Sequence, residues 1–427
     1  MWRVLSNWAW LQRSQWLSKD ELTKIQTQKL KETVYHAYRN VPFYQQLYRA
    51  KALDPASITD LRSITKLPTI TKEDLTNSSL QDRVAVDYDI NSCVRRTTSG
   101  STGVPTTILL DYGSLCYRPA LWLRKFWVYG WRPQSKVCIS IPGEAGTALF
   151  SSMRGLLGFL LRYRIKELPL AAEARDNLDF ILAWKPDLLA TPTSHFRALI
   201  RLGEEGERFP VLKIALPMSE MLDSSIKKLI SDKFQADVFE TYGLAEVGGV
   251  AWECPTRSGQ HINAESLIVE FLKDGEPVGS GESGEVCVTD LYNRATPLIR
   301  YRVGDMAVPL DEECGCDRGL PLLRNLEGRV LDHIITEDGR QVSPFTIMRG
   351  FEGIPGIAQY KVTQKRDHSI EVLVRSSETK AEAVLQLVQE RCMELFPGTP
   401  VSIRAVDAIQ TPKEPAKLRI VESEVQS

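Results

Sequence analysis

The 427-residue chain has little of several things, and each shortage excludes a class of function. Its net charge is only −1, so no electrostatic case exists for nucleic acid or an acidic membrane surface as partner. No apolar run reaches the roughly 18–20 residues that span a bilayer; the longest, Gly155–Leu161, stops at Arg162. The eight cysteines are scattered at positions 93, 116, 138, 254, 287, 314, 316 and 392, unlike a small disulfide scaffold and suited to a reducing cytoplasm. Of the five histidines, those at 36, 195, 333 and 368 show no ligand or triad spacing. The first residues alternate Trp with Arg, Ser, Asn and Gln, a pattern unlike a secretory leader, and a cytoplasmic location is expected.

What is present is a soluble globular composition, 43% hydrophobic and 25% charged. The length exceeds one ordinary core and predicts two or more domains. Trp2, Trp8, Trp10 and Trp16 crowd the N-terminus and suit a helix packed on the body of the protein better than one lying on a membrane. Residues 19–50 read as a helix ending near Val41-Pro42-Phe43-Tyr44, and Thr71 as the cap of a following helix with acidic residues in its first turn. From about 91 to 250, short apolar runs (137–141, 188–190, 212–216) alternate with helical patterns such as 224–234, which predicts βαβ units and a parallel sheet. After 260 the texture turns β-rich with glycine-laden turns. Beyond 330 lie a hairpin (334–342), a strand (370–374), a helix (380–395) and a strand (401–405), enough for a small α+β domain.

The densest signal is Thr98-Ser99-Gly100-Ser101-Thr102-Gly103, four hydroxyls and two glycines in six positions. Glycine lets backbone approach a ligand, and hydroxyls with successive N–H groups can converge on phosphate oxygens. No Gly-Lys-Ser/Thr ends the run, so it is not the P-loop NTPase motif; alone, it fits a flexible loop better than a phosphate cradle. Three later segments matter. Tyr242-Gly243-Leu244-Ala245-Glu246 offers an aromatic face for a purine and a carboxylate for Mg²⁺. Arg300-Tyr301-Arg302-Val303-Gly304-Asp305 carries a carboxylate that could accept from both ribose hydroxyls. Gly328-Arg329-Val330-Leu331-Asp332 falls at the inferred domain junction.

In this order and spacing the four segments resemble the motif series of the adenylate-forming (acyl-CoA synthetase-like) superfamily. The resemblance is nearest to its phenylacetate-CoA ligase-like branch, including capsular-polysaccharide-associated relatives. Pro42-Phe43-Tyr44, Leu67-Pro68 with Thr71-Lys72, and Val288-Thr289-Asp290-Leu291 before Pro297 look like the same branch. The resemblance implies an α/β fold. A large N-terminal domain with parallel-rich sheets (1–330) would bind ATP and an acid, and a small mobile α+β C-terminal domain (331–427) would complete catalysis. It further implies that Thr98 to Gly103 embrace the ATP phosphates and that Ser219, Glu220, Tyr242 and Gly243 line the adenine pocket. Glu246 would approach Mg²⁺, Asp305 the ribose and Arg329 the nucleotide, with Asp332 as hinge. The late catalytic lysine matches Lys417, although Ala416 stands where the family has glycine and Lys413 lies nearby. Segments 140–147 and 191–195 would help shape the acid pocket.

Cys254, His261, Cys314 and Cys316 make up a tetrahedral zinc set, but Cys-x-Cys is not the spacing of common zinc modules and buried thiols without metal fit the residues as well. The resemblance adds that some phenylacetate-CoA ligase-like proteins bind a metal through Cys and His in these regions. Four such ligands leave no open position, so the role would be structural. The expected activity is ATP-dependent activation of a carboxylic acid with transfer to a thiol, CoA foremost. An amine, sugar or carrier protein is the other acceptor class, and a nucleotide-binding scaffold without turnover the other kind of function. A homodimer is compatible with the resemblance; nothing in the sequence decides the oligomeric state.

Overall fold

The computed structural model describes residues 2–97, 106–140, 164–170, 172–206, 208–329, 332–351, 354–376, 381–407, 409 and 419–425. Its contacts divide the chain into two units. One comprises Met1–Ser219, Ile230–Val303 and Val308–Asn325, the other Glu220–Leu229, Gly304–Ala307 and Leu326–Ser427.

In the first unit, a five-stranded sheet runs in the order Ile165–Glu167, Val137–Ile139, Leu188–Pro192, Ile214–Met218, Asp237–Val238, with every pairing parallel. Its three central strands are buried along their whole length, which is why they read as unbroken apolar runs rather than alternating ones. An eight-stranded sheet follows, from Glu276–Pro277 at one edge to the Gly248–Glu253 and Thr241–Leu244 hairpin at the other. Ser224–Phe234 is helical as read from the sequence. Thr71 caps Lys72–Asn77 with a full capping box, Asp74 reaching back to the cap backbone. The single helix expected over 19–50 is two, Lys19–Asn40 and Pro42–Ala50. The residue before a proline is pushed out of the helical region, and Val41 is extended (φ −114°, ψ 109°) while Pro42 opens the second helix.

The Trp-rich helix Trp2–Ser14 lies on the body of the unit. Val4 and Leu11 pack with Cys116, Tyr117, Ala120 and Leu121 of the helix Tyr112–Val128, and Trp8 meets Trp127 edge-on at 5.4 Å. Beneath it is a buried ion pair. Arg124 Nη1 donates to Glu265 Oε1 at 2.5 Å, with both side chains wholly inaccessible to solvent. Ser14 Oγ donates to the same oxygen (2.8 Å), Lys29 Nζ to the Glu265 carbonyl (2.9 Å), and Arg124 Nη2 to Asn263 Oδ1.

The second unit contains a four-stranded sheet in the order Val401–Ala405, Ile370–Ser376, Ile357–Gln364, Val421–Ser423. Its core joins Val362, Ile370, Val372 and Val374 to Val384, Val388 and Cys392 of the helix Ala381–Leu395 and to Phe396 just after it. Strand 401–405 matches the sequence reading, and the hairpin pairs Ile334–Ile335 with Gln341–Val342. Among the described residues no helix is long and apolar enough to cross a membrane.

Removing one partner of a buried pair strands the other charge, at a cost of about 3–5 kcal/mol. Glu265→Gln is therefore expected to lower unfolding stability on that scale in urea titrations, against a near-neutral effect for exposed Glu205→Gln.

Candidate active site and thiol cluster

The auxiliary segments Pro42–Tyr44, Leu67–Ile70 and Val288–Leu291 meet around residues 297–302. Tyr44 Oη donates to the Pro297 carbonyl (3.2 Å) and accepts from Ile299 N (2.9 Å). Arg300 N donates to Thr289 Oγ1 (2.9 Å) and Asp290 N to the Leu298 carbonyl (2.8 Å). Ile70 N bonds the Arg300 carbonyl and Arg302 N the Ile70 carbonyl, at 2.9 and 2.8 Å. The Arg300 guanidinium donates from Nε and Nη2 to Glu270 (3.0 and 2.9 Å) and from Nη1 to the Leu67 carbonyl (2.6 Å). Arg300 sits at φ +48°, a left-handed conformation costly for a side chain with a Cβ, and this fork of hydrogen bonds holds it there. Burial raises the Glu270 carboxyl above its usual range, with Arg300 opposing the shift.

The Tyr242 motif occupies the outer hairpin of the large sheet. Tyr242 is buried in strand Thr241–Leu244, paired with Ala251, and Glu246 lies in the turn before Gly248. Tyr301 Oη donates to Glu246 Oε1 at 3.4 Å. Arg118, half-buried on helix Tyr112–Val128, donates from Nη1 to the Ala245 carbonyl (3.1 Å) and from Nη2 to the Glu246 carbonyl. Burial lowers the Arg118 pKa to about 10. Sequence reading did not single out Arg118, because a lone arginine in a helix carries no motif. Ser219 closes strand Ile214–Met218 with φ +66°.

In the second unit Asp305 and Arg329 are brought together, Nε to Oδ1 at 3.6 Å. Asp332 lies 3.3 Å from Arg419, and burial raises its carboxyl above the usual range while Arg419 and Arg329 oppose the shift. Thr98 to Gly103, Lys413 and Lys417 lie outside the described residues.

Cys254, His261, Cys314 and Cys316 converge, with one donor atom from each lying within 4.8 Å of the others. Cys254 Sγ is 3.5 Å from Cys314 Sγ, and Cys316 Sγ 3.3 Å from His261 Nε2. His261 Nδ1 faces the Leu320 carbonyl at 3.4 Å, so the imidazole turns Nε2 toward the thiols. Burial pushes the Cys254 thiol up to about 11 and the His261 imidazole down to about 4. Burial pushes Cys314 up as well, but hydrogen bonds from Cys316, Cys254 and Ser258 bring it below the ordinary thiol value. All eight cysteines are free.

Against known proteins, the sequence profile described as AMP-binding enzyme matches residues 45–291, more than half of the chain. The chain belongs to the AMP-binding enzyme family. Within that family it is 27% identical over 388 residues to the phenylacetate-coenzyme A ligase of Escherichia coli K12, covering 88% of this chain and 86% of that protein. It is also similar to protein CapK of Staphylococcus aureus, 23% identical over 305 residues, or 69% of this chain and 64% of that one. The fold is that of a 2-hydroxyisobutyryl-CoA ligase solved with R3-HIB-AMP, at a TM-score of 0.80 and 18% identity over 94% of this chain and 88% of that one. The expected superfamily, its phenylacetate-CoA ligase-like branch and the α/β fold are thus borne out, and this AMP-binding family member is a ligase-class enzyme.

One buried histidine has a clear pH signature. His195 receives the Asn177 amide at Nε2 (3.4 Å) and donates from Nδ1 to Thr191 Oγ1 (2.6 Å), and burial holds its pKa at about 4. The unfolded chain binds this proton first as pH falls below about 6.5, so stability present above 6.5 is lost on the way down to 4. His195→Gln should flatten the acid limb of a stability-versus-pH curve in that window; an unchanged slope would contradict the assignment.

Proposed function

We propose that this chain activates a carboxylic acid with ATP and passes the acyl group to CoA. The observation that carries this reading is the similarity to phenylacetate-CoA ligase over 88% of this chain and 86% of that protein; the Tyr242–Glu246 hairpin and the Asp305–Arg329 pair support it. An acid carboxylate oxygen attacks the α-phosphorus of ATP, the bond to the bridging oxygen breaks, and pyrophosphate leaves. The CoA sulfur then attacks the acyl carbon; AMP leaves and the thiol proton goes to solvent. Two anions must meet in the first step, so catalysis rests on positioning and on cationic stabilisation.

The residue roles follow the family pattern. Thr98 to Gly103 hold the phosphates, Ser219, Glu220, Tyr242 and Gly243 bound the adenine, and Asp305 holds the ribose with Arg329 beside it. Glu246 would hold Mg²⁺, which when bound shields the phosphate charge. Its carboxylate suits that role, since its main chain and one oxygen are already fixed by Arg118 and Tyr301. Lys417 stabilises the charge built at the α-phosphate, and the domain from 331 onward turns about Asp332 between the two half-reactions. The thiols being free suits a reducing cytoplasm.

Three thiols and an imidazole are soft and borderline donors in the number tetrahedral Zn²⁺ requires, and His261 Nδ1 faces a backbone carbonyl as ligating histidines do. A structural zinc is part of this reading. Metal analysis should find one zinc per chain in the wild type and a loss in Cys316→Ser, with a lower melting temperature; metal-free wild type overturns it.

A second acceptor class, a sugar, amine or carrier protein, is favoured only by the similarity to CapK. Carboxylate-dependent exchange of pyrophosphate into ATP separates the readings. Exchange with an aryl, fatty or hydroxy acid and CoA consumption is the expected result. Exchange without CoA consumption supports the other acceptor, and none with any acid supports a scaffold. Lys417→Ala should abolish exchange; if exchange survives, Lys413 takes the role.

A further inference from the structure

Glu246 lies in the turn of the hairpin, beyond its last paired residues. Leu244 pairs with Gly248 as the last register position of the hairpin, and the pairing is irregular between Tyr242 and Gly243. A single guanidinium, that of Arg118, takes the carbonyls of both Ala245 and Glu246. One fork gripping two successive carbonyls fixes a peptide plane as no single donor can. The hairpin is shaped for this grip. Gly248 has φ +86°, and a Cβ there would come within 3.3 Å of Arg118 Cγ, Cδ and Nε. The glycine supplies both the left-handed turn and the space into which the arginine side chain is laid.

The charge surroundings suit a fixed cation. Asp290, Glu246 and Asp111 favour the charge on Arg118, and Arg96 opposes it. Asp290 is itself pinned, accepting from Tyr292 N (2.8 Å) and Asn293 N (3.2 Å). Asp111 caps the helix on which Arg118 rides, accepting from Ser114 N at 2.7 Å. That helix begins directly after strand Thr107–Leu110, the continuation of the hydroxyl-rich segment. Strand Thr107–Leu110 and the helix that follows thus connect the chain after residue 105 to the turn bearing Glu246.

We propose that Arg118 is a positioning residue for Glu246, clamping the Ala245–Glu246 main chain so that the carboxylate is presented to the divalent cation in one place. Tyr301 secures the carboxylate from the other end. This rests on the reading of Glu246 as the cation-holding residue. It goes beyond that reading in assigning the precision of the site to a residue that touches neither nucleotide nor metal.

Arg118→Met in the full-length chain is expected to raise the Mg²⁺ concentration for half-maximal pyrophosphate exchange about tenfold, as loss of an orienting partner does at metal sites. The KM for the acid should stay within about twofold, since uniform substrate binding is untouched. In the nucleotide-free protein, hydrogen–deuterium exchange at amides 243–248 should speed up while the parallel sheet keeps its protection. Arg118→Lys should recover part of both effects. Should Arg118→Met fail to fold, Gly248→Ala, which crowds the same guanidinium, carries the same expectations. A folded Arg118→Met with unchanged Mg²⁺ demand and unchanged protection at 243–248 overturns the proposal. Glu246→Gln is the control: if it too leaves Mg²⁺ demand unchanged, the role of Glu246 falls first. If it raises the demand while Arg118→Met does not, only the clamp is wrong.

Discussion

Burying a full charge pair is costly unless good geometry and further hydrogen bonds offset it, and the Arg124–Glu265 pair draws in most of its surroundings, leaving only Arg124 Nε and Glu265 Oε2 without a hydrogen bond. Ser14 brings the first helix, Lys29 the second, and Asn263 the strand region of the large sheet. Asn263 in turn accepts from Trp252 Nε1 at 3.1 Å and donates to the Gly249 carbonyl at 2.8 Å. Gly249 adjoins Gly248, against which Arg118 is packed. Two arginines of one helix, six positions apart, therefore grip the same hairpin, one through its buried strand and the other through its exposed turn. An interaction that contributes little net stability by itself sets the attitude of a helix toward a sheet.

The same logic of shared anchoring explains why short segments remote from any chemistry belong to the family pattern. Tyr44, Leu67, Ile70 and Thr289 touch no substrate by the proposed roles, yet each supplies or accepts a hydrogen bond that shapes residues 297–302. Arg300 sits at their centre in a left-handed backbone conformation. Strain of that kind persists only where surrounding contacts over-determine it, and here those contacts come from three separate stretches of chain.

Much of this was legible before any coordinates. Buried parallel strands announce themselves as apolar runs, and helix 224–234, strand 401–405 and the Thr71 cap emerged where propensity and capping chemistry put them. Strand Ile357–Gln364 went unread although its residues from Gln359 to Thr363 alternate polar and apolar as a half-buried strand does, and the three-residue Val421–Ser423 is too short for any period to show. The break at Pro42 was visible as a proline but not as the start of a second helix. For the site the division is sharper. Motif order singles out Tyr242, Glu246, Asp305 and Arg329 through the family resemblance, and their proposed roles rest on it. It is silent on Arg118, whose only credential is spatial. The hydroxyl-rich loop and Lys417 keep their roles through resemblance alone, lying outside the described residues.

The cluster of Cys254, His261, Cys314 and Cys316 has a consequence for how the chain assembles. Its two halves are separated by some sixty residues of sequence, 254 to 314, and the strands Leu267–Lys273, Gly284–Asp290 and Tyr301–Leu310 all lie between them. Closing so long a loop costs chain entropy before any contact repays it. In the folded chain the donors meet across strands that have taken their places in the large sheet, so the convergence of the cluster reports on that arrangement. Its integrity is a readout of whether the large sheet was threaded correctly.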